Sequence, residues 1–590
     1  MNEPNKPHYA FGPFILDTAE QLLWRDGNLL PRLRPKTAET LLILIENSGH
    51  TVERDTFIEK LWPETDVEPN NLAVCIAELR KALGEPGDVR EYIETVPRRG
   101  YRFTASVREV QVESGRTHAN VDGHARGTPI DSLAVLPFAN LSDNPELEWL
   151  SDGIAETLIN NLSQLPPLRV MARTTVFHYK GHPNPLQAGR EMGVRAIVVG
   201  SVRQYSEHLR IGVELIDVAD GSQIWGEQYT RERADIFAVE SEIASKILEN
   251  LRLKLSGEVE ALLARRHPES AVAYEAYLKG RFYWNKRTVE DIRKGQKYFN
   301  EAIESDEKYA LAYAGLADSY LLLGSVENGA LDSTEAMRLA KESAVAALAL
   351  DPLLAEAHAS LAYVKIFDWD WTEAEREYRR AIELKPSYAT AYHWYALYLT
   401  AMGQSDSGLS MIKRAREIEP MSLPIMIGLG FYYYLTRQYE RAVDEYRKAL
   451  EIDASFYMAH FCVGMARVME SRFAEALEEY GIALRLSGGS PLLGAGIAHA
   501  YALQGRRKEV ETVIRELKAQ SGQQSFSPYC LAAIFSALGE RDEAFRYLRE
   551  ACEARSEGLF WVKVDPMLDD LRADPRFDEI LRRVRLAPAE

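Results

Sequence analysis

The chain has 590 residues, of which 46% are hydrophobic and 27% are charged, and its formal net charge is −18 at pH 7. One hydrophobic core does not serve a chain of this length, so several domains are expected. The acidic balance argues against a protein that coats nucleic acid or an anionic membrane along its whole length, although it leaves room for one small DNA-binding module. No apolar run reaches the roughly 18 residues of a membrane span, so we expect no membrane partner and a cytoplasmic protein.

The four cysteines are scattered along the chain and form no C-x-x-C pair. They lie at Cys75, Cys462, Cys530 and Cys552. This pattern predicts a reducing compartment in which the thiols are buried as small apolar groups. The sequence shows neither a nucleophile–base pair nor a cluster of metal ligands, so we predict neither enzymatic activity nor a cofactor.

Residues 9–34 alternate apolar and polar side chains as short β-strands do. The predicted strands are Ala10–Leu16, Gln21–Trp24 and Asn28–Leu33. Pro35 then opens an amphipathic helix that Gly49 closes, and a further helix is predicted over Arg54–Trp62.

The stretch from Glu68 to Phe103 carries the main functional signal. Its first part has four apolar side chains at the spacing of one helix face, and they are Leu72, Ile76, Leu79 and Leu83. Two short strands follow, Tyr92–Val96 and Tyr101–Thr104, joined by the segment P-R-R-G. A helix with a polar outer face and a hairpin with two arginines at its tip can contact DNA at two places.

This N-terminal region resembles the OmpR/PhoB-type winged helix-turn-helix family. The matching stretches are L-R-P-K-T-A-E-T-L-L-I-L-I-E-N-S-G, L-W-P, N-L-A-V-C-I-A-E-L-R-K-A-L and I-E-T-V-P-R-R-G-Y-R-F, within residues 8–105. The resemblance implies a winged helix in which Pro69–Leu83 enters the major groove of double-stranded DNA and the wing touches the backbone or the minor groove. The DNA-binding residues that it implies are Asn70, Asn71, Val74, Glu78, Arg80, Lys81, Thr95, Arg98 and Arg99.

The chemistry of these residues fits the implied roles unevenly. Asn side chains can pair with adenine, and Val74 can contact a thymine methyl group. Lys81 and the two wing arginines suit phosphates, and the resemblance also places Arg80 on a phosphate. Glu78 departs from the basic residue often found in the family. Residues 1–104 contain 13 Lys/Arg and 17 Asp/Glu, a net charge of 13 − 17 = −4, so any basic strip must be local.

The next segments are predicted to be a linker and a second domain. In ToxR/CadC-like relatives a transmembrane helix follows the winged helix, but residues 106–130 are polar here, so the chain resembles a member without a transmembrane segment, and the stretch is predicted to be a linker. Residues 131–257 form the second domain. Its predicted strands are Ser132–Phe138, Leu168–Ala172, Ala196–Gln204, Leu209–Asp217 and Gln223–Thr230, and its predicted helices are Asp152–Leu165, Leu186–Met192 and Ile236–Leu255.

The motifs of this second domain resemble a TolB N-terminal-like α/β domain. They are S-L-A-V-L-P-F, S-D-G-I-A-E-T-L-I-N-N-L-S, I-V-V-G-S-V-R and I-W-G-E-Q-Y. Such a domain also accompanies adenylate cyclase catalytic domains, but no cyclase domain is recognised here. We predict a spacer or interaction platform, in which Asp152, Glu156 and Asp217 are solvated side chains rather than catalytic carboxylates.

From residue 272 to residue 557 the chain repeats itself with a period of 34 residues, which is the tetratricopeptide period. Units start at Ala355, Ala389, Leu423, Tyr457, Pro491 and Ser525, and two longer units precede them from about Val272 and Ala310. The resemblance to tetratricopeptide proteins implies an all-α solenoid of stacked units. Residues 558–590 are predicted to cap it.

The first helices of such units line a surface that receives partners. The side chains predicted to face this groove are Tyr363, Phe367, His393, Phe431, Tyr434, Phe461 and Met465. Aromatic and methionine side chains suit an amphipathic helix or an apolar peptide of a partner protein. The alternative is that they pack in the core between repeats.

The sequence therefore predicts a multidomain chain with an α+β winged helix, then a small α/β domain, then an all-α tetratricopeptide solenoid. We interpret it as a sequence-specific DNA-binding transcription regulator. Its winged helix would read promoter DNA, with a homodimer on DNA as one form, and its solenoid would receive a protein or ligand signal. The alternative is a tetratricopeptide scaffold or adaptor protein whose winged helix serves protein docking.

Overall fold

The chain divides into two compact units, one of residues 1–128 with 219–221 and one of residues 129–218 with 222–590. The computed structural model describes residues 8–11, 14–17, 22–25, 28–29, 35–61, 70–83, 92–96, 99–105, 107–110, 130–142, 144, 147–163, 168–182, 184–205, 208–232, 236–251, 270–325, 330–487, 490–520 and 527–587.

The N-terminal unit begins with a five-stranded antiparallel sheet in the order β4-β3-β2-β1-β8. Its strands are β1 (His8–Phe11), β2 (Phe14–Asp17), β3 (Leu22–Arg25), β4 (Asn28–Leu29) and β8 (Val107–Val110). The prediction of one strand over Ala10–Leu16 is wrong, because β1 and β2 run antiparallel and Phe11 pairs with Phe14. The sequence between them is Gly-Pro, a turn signal that the alternating pattern outweighed in the prediction.

Strand β8 lies inside the predicted linker, so that prediction is wrong for its first residues. It pairs along the whole of β1, with Val107 opposite Phe11 and Val110 opposite His8. The V-R-E-V segment alternates apolar and polar side chains, which suits the edge strand of a sheet. The predicted linker from residue 111 to residue 129 lies outside the described residues.

Within its described residues, this unit also contains three helices and a second sheet. They are α1 (Pro35–Glu46), α2 (Arg54–Leu61) and α3 (Asn70–Ala82), with β5 (Thr51–Glu53), β6 (Ile93–Val96) and β7 (Gly100–Phe103) in the antiparallel order β5-β7-β6. Helix α1 begins at Pro35, as predicted. The apolar faces of all three helices meet in one core, where Leu41, Phe57, Leu79 and Phe103 are fully buried.

The middle domain, part of the second unit, has a mixed sheet in the order β11-β9-β12-β13-β14, with β10 paired to β12. Its strands are β9 (Ser132–Val135), β10 (Ala139–Asn140), β11 (Arg169–Val170), β12 (Ala196–Tyr205), β13 (His208–Asp217) and β14 (Gln223–Glu232). β9 is parallel to β11 and β12, and its residues are all buried, as expected for a central strand. The last three strands form the predicted antiparallel meander.

Among the described residues, the helices that accompany this sheet are α4 (Glu148–Leu162), α5 (Arg173–Phe177), α6 (Pro185–Glu191) and α7 (Ile236–Asn250). Helix α5 was not predicted, because its five residues are too few to show a periodic pattern. Helix α4 is buried on several sides, with both charged and apolar side chains in the interior.

The described residues between 270 and 553 form paired helices. Their bounds are α8 (Ala271–Trp284), α9 (Val289–Ser305), α10 (Ala310–Gly324), α11 (Ser333–Leu350), α12 (Ala355–Phe367), α13 (Trp371–Leu384), α14 (Ala389–Ala401), α15 (Ser405–Ile418), α16 (Leu423–Leu435), α17 (Tyr439–Ile452), α18 (Tyr457–Met469), α19 (Phe473–Ser487), α20 (Pro491–Leu503), α21 (Arg507–Gln520), α22 (Pro528–Ala537) and α23 (Arg541–Glu553). Five first helices begin at the predicted starts from Ala355 to Pro491, whereas α22 begins at Pro528 instead of Ser525. No helix within the described ranges is long and apolar enough to cross a membrane.

The turns after the six first helices that begin between Ala355 and Pro528 repeat the 34-residue period in their backbone. Residues with positive φ recur at Trp369, Gly403, Arg437, Ser471, Gly505 and Gly539. Glycine adopts this left-handed conformation freely, whereas Trp369 and Arg437, with φ of 56° and 60°, adopt it against the usual preference. The side chains of Trp369 and Arg437 contact Arg555 and Asp569, which lie near the C-terminus.

After α23 the chain stops repeating. Two 3₁₀ helices, Glu557–Trp561 and Pro566–Leu571, precede α24 (Pro575–Arg583). We call residues 555–572 the C-terminal strap, because they return to the third, fourth and fifth units, which begin at Ala355, Ala389 and Leu423. The indole N–H of Trp371 also donates to the carbonyl of Val584 at 2.9 Å.

Candidate nucleic-acid interface and repeat surface

Helix α3 has one face in the core and another in solvent. Leu72, Ile76 and Leu79 are at most 3% exposed, so the predicted apolar face is confirmed. Val74 lies on the outer side and is 47% exposed. An apolar side chain in solvent on this face is available to a thymine methyl group.

The wing is the turn between β6 and β7. Arg99 is exposed there, and its backbone N–H donates to the carbonyl of Val96 at 3.1 Å. At the base of the wing, a Cβ atom at position 100 would lie 1.9 Å from the carbonyl oxygen of Val52, so only glycine allows β7 to approach β5 this closely. The side chains of Asn70, Asn71, Lys81 and Arg98 lie outside the described residues, and their DNA contacts stay predictions.

Glu78 is tied to helix α1. The hydroxyl of Thr37, which is 1% exposed, donates to Glu78 Oε2 at 2.7 Å. This hydrogen bond to a side-chain oxygen of Glu78 ties α3 to α1. The departure from a basic residue at this position therefore has a structural role, and contact between Glu78 and a base stays a prediction.

Arg80 ties α3 to the wing. Its guanidinium donates to the carbonyl of Ile93 at 3.0 Å and to the hydroxyl of Thr95 at 2.7 Å. The resemblance implied that Arg80 and Thr95 both touch DNA; the structure shows that they bind each other. Helix α3 and the wing are therefore held as one surface.

The predicted groove residues fall into two groups. Phe367, Tyr434 and Phe461 are at most 9% exposed, so for them packing within the repeats is what the structure shows. Met465 and His393 are half-buried, and desolvation lowers the pKa of His393 to about 4, so it is neutral near pH 7. Tyr363 and Phe431 are also half-buried, and the C-terminal strap covers them.

Three middle-domain carboxylates were predicted to be solvated, and that prediction is wrong. Asp152, Glu156 and Asp217 are only 5%, 7% and 9% exposed. Each is paired, Asp152 with Lys180 at 2.7 Å and Asp217 with Arg195 at 2.8 Å. Buried carboxylates need such partners, and the partners are remote enough in sequence to have escaped the prediction.

Glu156 joins the middle domain to the first repeat. Its two oxygens accept from Arg173 at 2.7 Å and from Arg281 of α8 at 2.8 Å, and Asn285 donates to it at 3.0 Å. Burial alone would raise the pKa of Glu156, but Arg281 and Arg173 lower it to about 2. The carboxylate is therefore charged, and it bridges α4, α5 and α8.

A second junction lies beside it. The buried hydroxyl of Tyr274 on α8 is hydrogen-bonded to Glu240 of α7 and lies 2.8 Å from the hydroxyl of Thr157 on α4. Glu240 is 0% exposed, and burial raises its pKa well above the ordinary value. A protonated carboxyl here can share hydrogen bonds with Tyr274 without carrying a charge into the interior.

Three family models match separate stretches of the chain. They are "Transcriptional regulatory protein, C terminal" over residues 30–103, "HilA/YgeH-like transcriptional regulator, second domain" over residues 130–246 and "Tetratricopeptide repeat" over residues 423–456. The predictions of a winged helix and of tetratricopeptide repeats are confirmed. The TolB N-terminal-like assignment of the middle domain is not confirmed, since the matching model is the HilA/YgeH-like one.

Similar proteins include two curated relatives and one solved structure. "Putative adenylate cyclase 3" of Rhizobium meliloti is 35% identical over 187 residues, 32% of either chain. "Transcriptional regulator HilA" of Salmonella typhimurium is 23% identical over 421 residues, 70% of either chain. The DNA-binding domain of E. coli CadC is 29% identical and has a TM-score of 0.17, covering 18% of this chain and 98% of that one.

The chain spans about a third of the length of the cyclase relative and 70% of the length of HilA. The HilA match extends over 70% of the chain. The three matched models follow one another along the chain, with the winged helix first, the HilA/YgeH-like second domain next and the tetratricopeptide repeat last.

Proposed function

We propose that the chain regulates transcription by placing α3 in the major groove of promoter DNA with the wing on the adjacent backbone. The observation that supports this most is the fixed pairing of α3 with the wing through Arg80, with Val74 and Arg99 left exposed. A preorganised surface avoids the ordering cost that a mobile hairpin would bring to binding.

Within this surface the roles divide by chemistry. Asn70 and Asn71 would pair with adenine, and Val74 would touch a thymine methyl group. Lys81 and the wing arginines would bind phosphates, which positions the domain without reading sequence. One winged helix has a small interface, so we propose that two copies bind together on adjacent half-sites.

A gel shift with genomic fragments of the host tests this proposal. The full chain should retain a subset of fragments, and Arg98→Ala/Arg99→Ala should weaken binding to all of them alike. Each lost phosphate contact should lower the slope of log K against log salt by about 1. Lys60→Ala, which removes an exposed positive charge from α2, is the matched control. Binding that the arginine variant leaves unchanged, or that salt barely affects, would favour the scaffold alternative.

We propose that the repeats carry a protein-binding function and that the chain works in the bacterial cytoplasm, where promoter DNA is reached. Support comes from the tetratricopeptide match and from the row of first helices, whose half-buried side chains include Tyr363, Phe431 and Met465. We also propose that the chain acts by binding and not by catalysis. Its match to HilA over 70% of its length supports this.

A further inference from the structure

The C-terminal strap crosses the turns that follow the first helices of the third, fourth and fifth units. At the third unit, Arg555 donates to the carbonyl of Phe367 at 3.1 Å, and its guanidinium carbon lies 4.6 Å from the ring centre of Trp369. At the fourth unit, Lys563 donates to the carbonyl of Met402 at 3.0 Å. The strap thus follows the repeat, one turn after another.

Two adjacent aromatic side chains anchor the strap. The ring of Phe560 is stacked on Trp371 with centres 6.2 Å apart, and it is 8% exposed. The ring of Trp561 meets Phe431 edge-on with centres 4.9 Å apart. Trp371 and Phe431 belong to the third and fifth units, so the aromatic pair spans the unit between them.

Charged groups flank this pair on both sides. Before it, Glu557 accepts from the hydroxyl of Tyr363 at 2.7 Å. After it, Asp569 pairs with Arg437 at 2.6 Å, and Arg437 also donates to the carbonyl of Val564 at 2.7 Å. A guanidinium group that donates to both a backbone carbonyl and a carboxylate of one segment binds that segment in a defined position, as in peptide recognition.

Arg437 and Trp369 occupy the turn position where glycine stands in the fourth unit. Both adopt the left-handed backbone conformation, and both side chains contact the strap. Ser471 adopts it without such a contact in the described residues, so the conformation alone is not diagnostic. At the third and fifth units, however, the residue with positive φ is Trp369 or Arg437, and its side chain contacts the strap.

We propose that the C-terminal strap is an internal ligand of the repeats. The repeat side chains that contact the strap include those of Tyr363, Trp371, Phe431 and Arg437. They would bind a segment of a partner protein that has two adjacent aromatic residues between carboxylates. The partner binds by displacing the strap. This inference rests on the proposed protein-binding function of the repeats. It adds to that function the chemistry of the partner segment and the displacement of the strap, which must precede or accompany binding.

The tether sets the affinity that a partner needs. A segment attached to its own site competes at an effective concentration on the order of millimolar. A free peptide copying residues 555–572 should therefore bind the native chain poorly. The peptide should bind well once the strap no longer covers Tyr363, Trp371, Phe431 and Arg437.

Fluorescence anisotropy with that labelled peptide and the full chain tests the proposal. Phe560→Ala/Trp561→Ala in the chain should tighten peptide binding at least about tenfold over the native chain, and adding Arg437→Ala should reverse the gain. Circular dichroism checks that the repeats stay folded. If the aromatic variant fails to fold, Glu557→Gln/Asp569→Asn decides, since it removes only the flanking charges. Asp578→Asn, an exposed carboxylate of α24, is the matched control and should change nothing.

Hydrogen exchange of the bound chain locates the site. Peptide binding should protect the turns at residues 367–371 and 436–438. A folded variant that binds the peptide no better than the native chain, or that is protected elsewhere, overturns the internal-ligand proposal. A gel shift on the same samples separates the two proposals, because peptide exchange without any DNA binding would overturn only the promoter function.

Discussion

Glu156→Gln should loosen the junction between the middle domain and the first repeat. In the native chain the carboxylate is 7% exposed and accepts from Arg173, Arg281 and Asn285. An amide keeps the shape but loses the charge that two guanidinium groups face. The variant therefore leaves two partly buried cations without their carboxylate, which is the most destabilising way to break an ion pair.

The size of the effect follows from the pKa. The two arginines hold the pKa of Glu156 at about 2, against an ordinary value of 4.5. A difference of about 2.5 pKa units at roughly 1.36 kcal/mol each gives about 3 kcal/mol in favour of the charged form. Because the folded pKa is depressed, this stability is present above pH 4.5 and is lost as the pH falls toward 2. We expect Glu156→Gln to lower the free energy of unfolding at pH 7 by about 3 kcal/mol.

Urea titration of the full chain, followed by tryptophan fluorescence at pH 7 and again near pH 3, measures this effect. At pH 3 the native protein and the variant should differ by less than at pH 7. Glu290→Gln is the control, since Glu290 pairs with Lys294 on α9 but is 80% exposed, and exposed pairs of this kind contribute under about 1 kcal/mol. An equal effect of the two substitutions, or a Glu156 effect that does not depend on pH, would refute the reasoning.

Two further predictions concern Glu240 and Arg80. Burial raises the pKa of Glu240, so the stability of the second unit should fall as the pH rises from about 4.5 toward the raised value. Glu240→Gln should remove that slope and stabilise the protein near neutral pH, as thermal unfolding across pH would show. Arg80→Ala should lower the melting temperature of the winged helix and weaken DNA binding. Arg80→Lys should restore little of either, because one ammonium group does not span the carbonyl of Ile93 and the hydroxyl of Thr95 as the guanidinium does.

Local periodicity predicted most of the elements. The apolar spacing of α3, the meander of β12 to β14 and five of the six 34-residue starts of the first helices appear in the structure. Each depends on a pattern within one element or on its repetition along the chain. On α3, the same pattern separated the buried Leu72 from the exposed Val74.

Contacts between distant residues could not be predicted in this way. Glu156 looked like a solvated helix residue because its partner Arg281 is 125 positions away. Likewise, nothing local shows that Arg80 binds the wing or that Glu78 binds Thr37. These residue types suit DNA binding, but charged side chains also form hydrogen bonds within the protein. The three-dimensional structure is needed to show which of the two contacts a side chain makes.

The middle domain and the C-terminal strap make hydrogen bonds to different positions of the repeats in the part of the chain that the structure describes. The middle domain reaches the connections after second helices, where Lys385 donates to Asn160 at 3.2 Å and Glu419 accepts from Thr174 at 2.7 Å. The C-terminal strap reaches the turns after first helices, at Met402 among others. Displacing the strap should therefore leave the Glu156 junction in place. Because separate contact sets act independently, the unfolding effects of Glu156→Gln and of the aromatic strap variant should add to within about 0.5 kcal/mol. A larger coupling would mean that a partner bound in place of the strap also moves the middle domain.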